Sequence, residues 1–195
     1  MSKSIRLTLA AVLIAFAGMN AKAQKAGLKT NLLYDATATV NLGLELGLAP
    51  KWSLDISGNF NNWDIDKQLW KHWMLQPELR YWFCDRFAGH FLGIHAIGGQ
   101  FNWGRFKHAS DFLGMNFSQL TDYRAQGWGV GGGIAYGYTW VLNKHWNFEA
   151  EIGVGVIQTW YDLYNCQGCE KKVASDQKHT YYGPTKAALN LVYVF

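Results

Sequence analysis

A period of two runs through most of this chain and limits what it can fold into. In VNLGLELGL, Leu42, Leu44, Leu46 and Leu48 share one side, opposite Gly43, Glu45 and Gly47. In WSLDISGNF, Trp52, Leu54, Ile56 and Phe60 oppose Ser53, Asp55, Ser57 and Asn59. WMLQPELRYW sets Trp73, Leu75, Leu79 and Tyr81 against Gln76, Glu78 and Arg80. WNFEAEIGVGV sets Trp146, Phe148, Ile152, Val154 and Val156 against Asn147, Glu149, Glu151, Gly153 and Gly155. The last stretch, ALNLVYVF, puts Leu189, Leu191, Tyr193 and Phe195 opposite Asn190. Successive side chains of a strand point to opposite faces, so each segment reads as a strand with one apolar and one polar face.

The connections alternate in length. Short ones fall at Ala49–Lys51, Cys84–Arg86 and Leu142–Lys144, and a brief one near Asp35–Thr39. Longer polar ones fall near Asn61–His72, Gly104–Arg124 and Asp162–Gly183. Between them the spacing predicts eight strands, at about 26–34, 40–48, 52–60, 73–82, 87–103, 125–141, 145–161 and 184–195. The strand at 87–103 is apolar on both faces, so its orientation stays open. No linker or low-complexity tract divides the chain, and residues 24–195 are expected to form one domain.

Eight alternating strands fit two barrels. A soluble, lipocalin-like barrel keeps its apolar residues inside. An outer-membrane barrel inverts this, with an apolar outer band, aromatic girdles, a polar interior, short turns at one end and long loops at the other. The polar faces carry Lys29, Glu45, Asp55, Glu78, Arg80, Glu149, Glu151 and Lys186, together with Gly127, Gly129, Gly131 and Gly133. An eight-stranded barrel has an interior that side chains just fill, so paired charges and small residues suit its lumen. The other face of WGVGGGIAYGYTW offers Trp128, Val130, Ile134, Tyr136, Tyr138 and Trp140, with aromatics towards the ends as at a lipid interface. The expectation is an all-β, closed, eight-stranded antiparallel transmembrane barrel with a filled polar lumen. Lys29, Glu45, Glu78, Arg80, Glu149, Glu151 and Lys186 form its internal charge network, too crowded for a diffusion pore.

The N-terminus supports export. Lys3 and Arg6 precede LTLAAVLIAFA, and AKA follows at Ala21–Ala23, the three-part layout of a signal peptide cut after Ala23. Loss of residues 1–23 removes Lys3, Arg6 and Lys22 and no acid, which lowers the formal charge from +4 to +1. The basic balance therefore belongs to the leader and gives no support for a nucleic-acid partner. The expected location is the outer membrane of a Gram-negative bacterium, in contact with its lipids and lipopolysaccharide.

In architecture the chain resembles the small OmpX/OmpA-type barrels. Over Leu28–Phe195, and most closely in KTNLLYDATATVNLGLE (Lys29–Glu45) and the Trp52–Asp55 segment, it resembles a Bacteroidetes family of small outer-membrane barrels with a domain-of-unknown-function label, DUF3575-type. That resemblance implies an envelope role, with a surface or fimbrial protein as partner, and supplies no catalytic residues. The terminal Leu191, Tyr193 and Phe195 resemble the C-terminal aromatic signature read by the barrel assembly machinery.

Chemistry is sparse. His108 and Ser110 with Asp122 resemble the layout of outer-membrane lipid A deacylases, in which a hydroxyl, an imidazole and an acid perform acyl transfer. The acid here is Asp, Asp111 follows the serine, and the segment reads as a polar loop, so chance is the better account and no enzyme is expected. Cys166 and Cys169 form a CxxC pair in a loop; a local disulfide, free thiols or metal ligation with His179 are the readings open to it. One pair lacks the ligands of a structural metal site, and no metal or cofactor is expected. The loop aromatics, with Lys171, Lys172 and Lys178, offer a surface for a partner or for lipopolysaccharide phosphates.

Overall fold

A computed structural model describes residues 26–65, 68–104, 123–165 and 171–195. Eight strands, β1 (Ala26–Asn31), β2 (Val40–Ala49), β3 (Trp52–Ile65), β4 (Gln68–Trp82), β5 (Gly89–Gly104), β6 (Tyr123–Val141), β7 (Trp146–Asn165) and β8 (Lys172–Val194), pair in chain order. Each neighbour pair is antiparallel, and β8 closes on β1 through Asn31–Asn190 to Gly27–Val194. The barrel is all-β and closed, as the alternation predicts.

The faces fall as read. Leu42, Ile94, Ile134 and Ile152 point outward and are 59–68% exposed, whereas Arg80 and Glu45 are 0% exposed and point inward. The open case of β5 resolves: Leu92 and Ile94 face out, while Phe91, His95 and Ile97 face in and are buried. Gly133 has a different reason from the one anticipated. A Cβ there would strike the backbone of β7 at Val154 and Gly155, so this glycine permits close strand approach rather than space for lumen side chains.

Two predicted boundaries change. Residues 32–34, expected to continue the first strand, belong to a short helix, α1 (Leu32–Ala36). Asn31 accepts a hydrogen bond from the Leu33 amide, the usual N-cap arrangement, and ends the strand. The polar stretches near Asn61–His72 and Asp162–Gly183 are largely strand rather than loop. There β3 pairs with β4 up to Ile65–Gln68, and β7 pairs with β8 up to Tyr164–Lys172. Polar residues fall on both parities in those stretches, so period two carries little hydrophobic signal, and backbone pairing is supplemented by cross-strand contacts such as the Trp70–Trp103 stack (5.2 Å).

The wall is consequently uneven. β1 has 6 residues and β2 has 10, but β8 has 23. β2 reaches β3 no higher than Phe60, and β1 meets β8 no higher than Asn190. Above this level β3–β8 form an open sheet, and α1 sits at the foot of the gap. Asn31 stitches the seam, donating from Nδ2 to the Ala187 carbonyl (3.1 Å) and accepting from the Leu189 amide (3.2 Å).

Candidate functional site

The closed lower half holds a charge network centred on Arg80. Its position on β4 directs the side chain inward, between Ser53 of β3 and Gly93 of β5. The guanidinium meets Glu78 through Nε (2.6 Å), Glu45 and Glu149 through Nη1 (2.9 and 3.0 Å), and Glu151 and Asp55 through Nη2 (2.7 and 3.3 Å). The planar fork of five N–H donors suits such multidentate pairing. Its face lies 4.4 Å from the centroid of the Phe91 ring, a cation–π contact.

Two lysines add to the positive side of the network. Lys29 of β1 contacts Glu45, with Glu149 at 3.5 Å and Asp55 at 3.7 Å. Lys186 of β8 contacts Glu78 (2.7 Å), Glu151 (3.1 Å) and Asp55 (3.7 Å). Neutral donors take further carboxylate lone pairs: Asn190 and Thr139 bond Glu149 at 2.7 and 3.1 Å, and Ser53 bonds Glu45. His95 bonds Thr185 at 2.9 Å and stands 3.7 Å from Glu78. Below lies an apolar floor, with Trp82 and Phe91 rings 4.7 Å apart above Phe87, Val192 and Val194. Trp82 donates to Ser53 Oγ (2.8 Å), which ties the floor to the network.

All seven lumen residues predicted from the sequence meet here. Asp55, read on the same polar face, belongs with them. Sequence reasoning missed His95, Thr139, Asn190 and Ser53 as members. Asn190 and Ser53 were legible as inward by parity, whereas His95 sits in a strand that is apolar on both faces. With Arg80 and Glu78 fully buried in the ring, the lumen is plugged, and among the described residues it offers no apolar ligand cavity of lipocalin kind. Buried charges are tolerated when each finds partners, and the chemistry of this arrangement is mutual ion pairing.

Other candidates fall elsewhere. His108, Ser110, Asp122, Cys166 and Cys169, like the leader at 1–23, lie outside the described residues. Among those described, no group of three or more His, Cys, Asp and Glu stands where it could hold a metal ion. Cys84 is exposed in the β4–β5 turn. Leu191 and Tyr193 lie on the outer face of β8, where the Tyr193 ring meets Trp146 (centroids 5.1 Å) and Phe195 (5.2 Å).

The outer face also carries a groove of about 410 Å³ across β3–β7. Its floor is the cross-strand row Asn61, His72, Phe101 and Gly127. The row below is Phe60, Trp73, Gln100 and Trp128; the row above is Asn62, Lys71, Asn102 and Gln126. Trp73 Nε1 donates to Gln100 Oε1 (3.0 Å), and Trp128 stacks on Trp160 (4.3 Å).

No curated protein matches this chain. A family model described as "Protein of unknown function (DUF3575)" matches residues 8–195, nearly the whole sequence. That match covers well over half of the sequence, and the chain belongs to the DUF3575 family.

Proposed function

We propose that this protein is an outer-membrane barrel that spans the lipid bilayer and serves a structural or interaction role through its outward-facing upper half. The observation that carries this reading is the inverted distribution of polarity. Large aliphatic residues cover the outside while the charges fill a plugged inside, and a bilayer is the solvent that favours this arrangement. Aromatic residues support it at both margins: Trp52, Trp140, Trp146 and Tyr193 towards the short turns, and Phe60, Trp73 and Trp128 at the other end. On this reading residues 1–23 direct export and are cut after Ala23, and the assembly machinery engages the terminal strand at Leu191, Tyr193 and Phe195. Lumen charges serve the barrel's integrity rather than conduction or catalysis.

Gel mobility of the outer-membrane fraction, boiled against unboiled, tests the reading. A heat-dependent shift is expected, because closed barrels resist detergent until heated. Recovery in the soluble periplasm without a shift would overturn it.

A further inference from the structure

We propose that the outer groove across β3–β7 binds the sugar headgroup of an outer-leaflet glycolipid. The inference rests on the outer-membrane reading and adds a ligand to it. Position is the first argument. Immediately below the aromatic row, the next outward residues are Gly58, Leu75, Gly98 and Val130, with Leu75 and Val130 46% and 44% exposed. Immediately above it the row turns to amides and charge. The groove therefore lies where an apolar band gives way to water, which is the level of lipid headgroups.

Chemistry is the second argument. Two exposed indoles, Trp73 and Trp128, flank one amide, Gln100, on adjacent strands. The Trp73 hydrogen bond occupies the Gln100 oxygen and leaves its NH₂ end to donate. A sugar ring presents C–H faces to aromatic rings and hydroxyls to amides, and each hydroxyl both donates and accepts. A phospholipid headgroup instead calls for clustered cations, whereas Lys71, the lysine of the groove, is already 3.7 Å from Asp64.

The third argument is an orphaned atom. Asn102 Oδ1, on the outward row above the aromatics, is shielded from solvent and has no hydrogen-bond partner. Such groups are costly to leave unmatched and commonly mark a place for water or ligand. A hydroxyl of a sugar lying between the two rows supplies the donor that Asn102 lacks, and 410 Å³ is within the range of small-ligand sites. The acyl chains of the same molecule would then run down over Leu75 and Val130.

The test uses the full chain refolded in detergent micelles, with rough lipopolysaccharide as probe and phosphatidylglycerol as competitor. Native mass spectrometry is expected to show saturable retention of one lipopolysaccharide that phosphatidylglycerol does not displace. Gln100→Ala, an exposed change that leaves the lumen untouched, is expected to weaken retention about ten-fold, the scale of one lost hydrogen bond. Trp128→Ala should do the same, while Ile94→Ala, lower on the outer face, should not. Equal displacement by phosphatidylglycerol, or unchanged retention by Gln100→Ala, overturns the site. Insertion of the same preparation into phospholipid vesicles separates the two claims. A barrel that inserts but shows no preference removes only the glycolipid site, and one that does not insert removes the membrane reading with it.

Discussion

The lower and upper halves of this barrel are built from the same strands but held together differently. Below Asn190, eight strands close a ring around fully buried ions, and each residue depends on partners from other strands. Above it, six strands continue as an open sheet whose inner face holds an aromatic cluster around Trp70, Phe101 and Trp103 and whose outer face is largely polar. β8 shows the contrast within one element: Ala188, Asn190, Val192 and Val194 are buried, whereas residues 175–180 are all exposed. The lower half gains its order from interdependence, so its failures are global. The upper half is a ladder of backbone hydrogen bonds with a free edge along β8, and its failures are local. That edge carries Lys172, Lys178 and Pro184, residue types that discourage strands from pairing with other chains.

The largest effect should come from Arg80→Leu. It leaves five buried carboxylates facing two lysines, and removal of one partner from a buried ion group costs about 3–5 kcal/mol. Urea titration followed by tryptophan fluorescence should show a much lower midpoint or no folded form. A near-normal midpoint would mean that the two halves do not differ as described.

A smaller effect is expected for Gly93→Val. A Cβ at this position lies 2.5 Å from the Glu78 carboxyl, and overpacking of this kind costs about 1–3 kcal/mol. The same titration reads it. The equivalent change at Gly98, where a Cβ has 4.0 Å of clearance on the outer face, should cost far less and sharpens the contrast.

At the seam between the halves, Asp35 accepts from Thr30 Oγ1 (2.8 Å) and Asn41 Nδ2 (2.7 Å) and so fastens α1. Asp35→Ala should cost about 1 kcal/mol per bond lost at most. Hydrogen exchange of the Ala38 and Thr39 amides should accelerate while the barrel midpoint barely moves. A global loss of stability would show that the seam supports the ring.

The smallest effect concerns the tall β7–β8 hairpin. A hydrogen bond from Lys172 (2.8 Å), helped by the Asp176 amide, holds the Asp162 carboxyl below the usual aspartate range. A depressed carboxyl contributes stability above its unfolded pKa and loses it as pH falls through the folded value. The protection of the Asp176 amide, with the intrinsic pH dependence of exchange divided out, should therefore be constant at neutral pH and fall as the solution is acidified below about pH 4. In Lys172→Gln that acid dependence should move up towards the ordinary aspartate range.

Much of the lower half was legible because two independent signals coincide there. Period two located the strands, and the charges sat on one parity, so Lys29, Glu45, Glu78, Arg80, Glu149, Glu151 and Lys186 could be assigned inward from the sequence. The upper half gave no such signal. Asn61, Asp64, Lys71, Asp162, Gln177 and Lys178 are polar on both parities, which makes a strand in water look like a loop. The turn at Leu32–Ala36 was hidden for the opposite reason, since its leucines continue the apolar run that precedes them.

By itself the sequence determined the strand number, the inward and outward assignment of every strand but β5, and the closed all-β class, because hydrophobic alternation acts residue by residue along the chain. Tertiary structure decided the rest: that Arg80 is the hub, that His95 and Asn190 join it, that the wall is tall on one side and low on the other, and that a groove separates an aromatic row from an amide row. Those properties depend on register between strands far apart in sequence. Register sets which side chains become neighbours, and no local pattern encodes it.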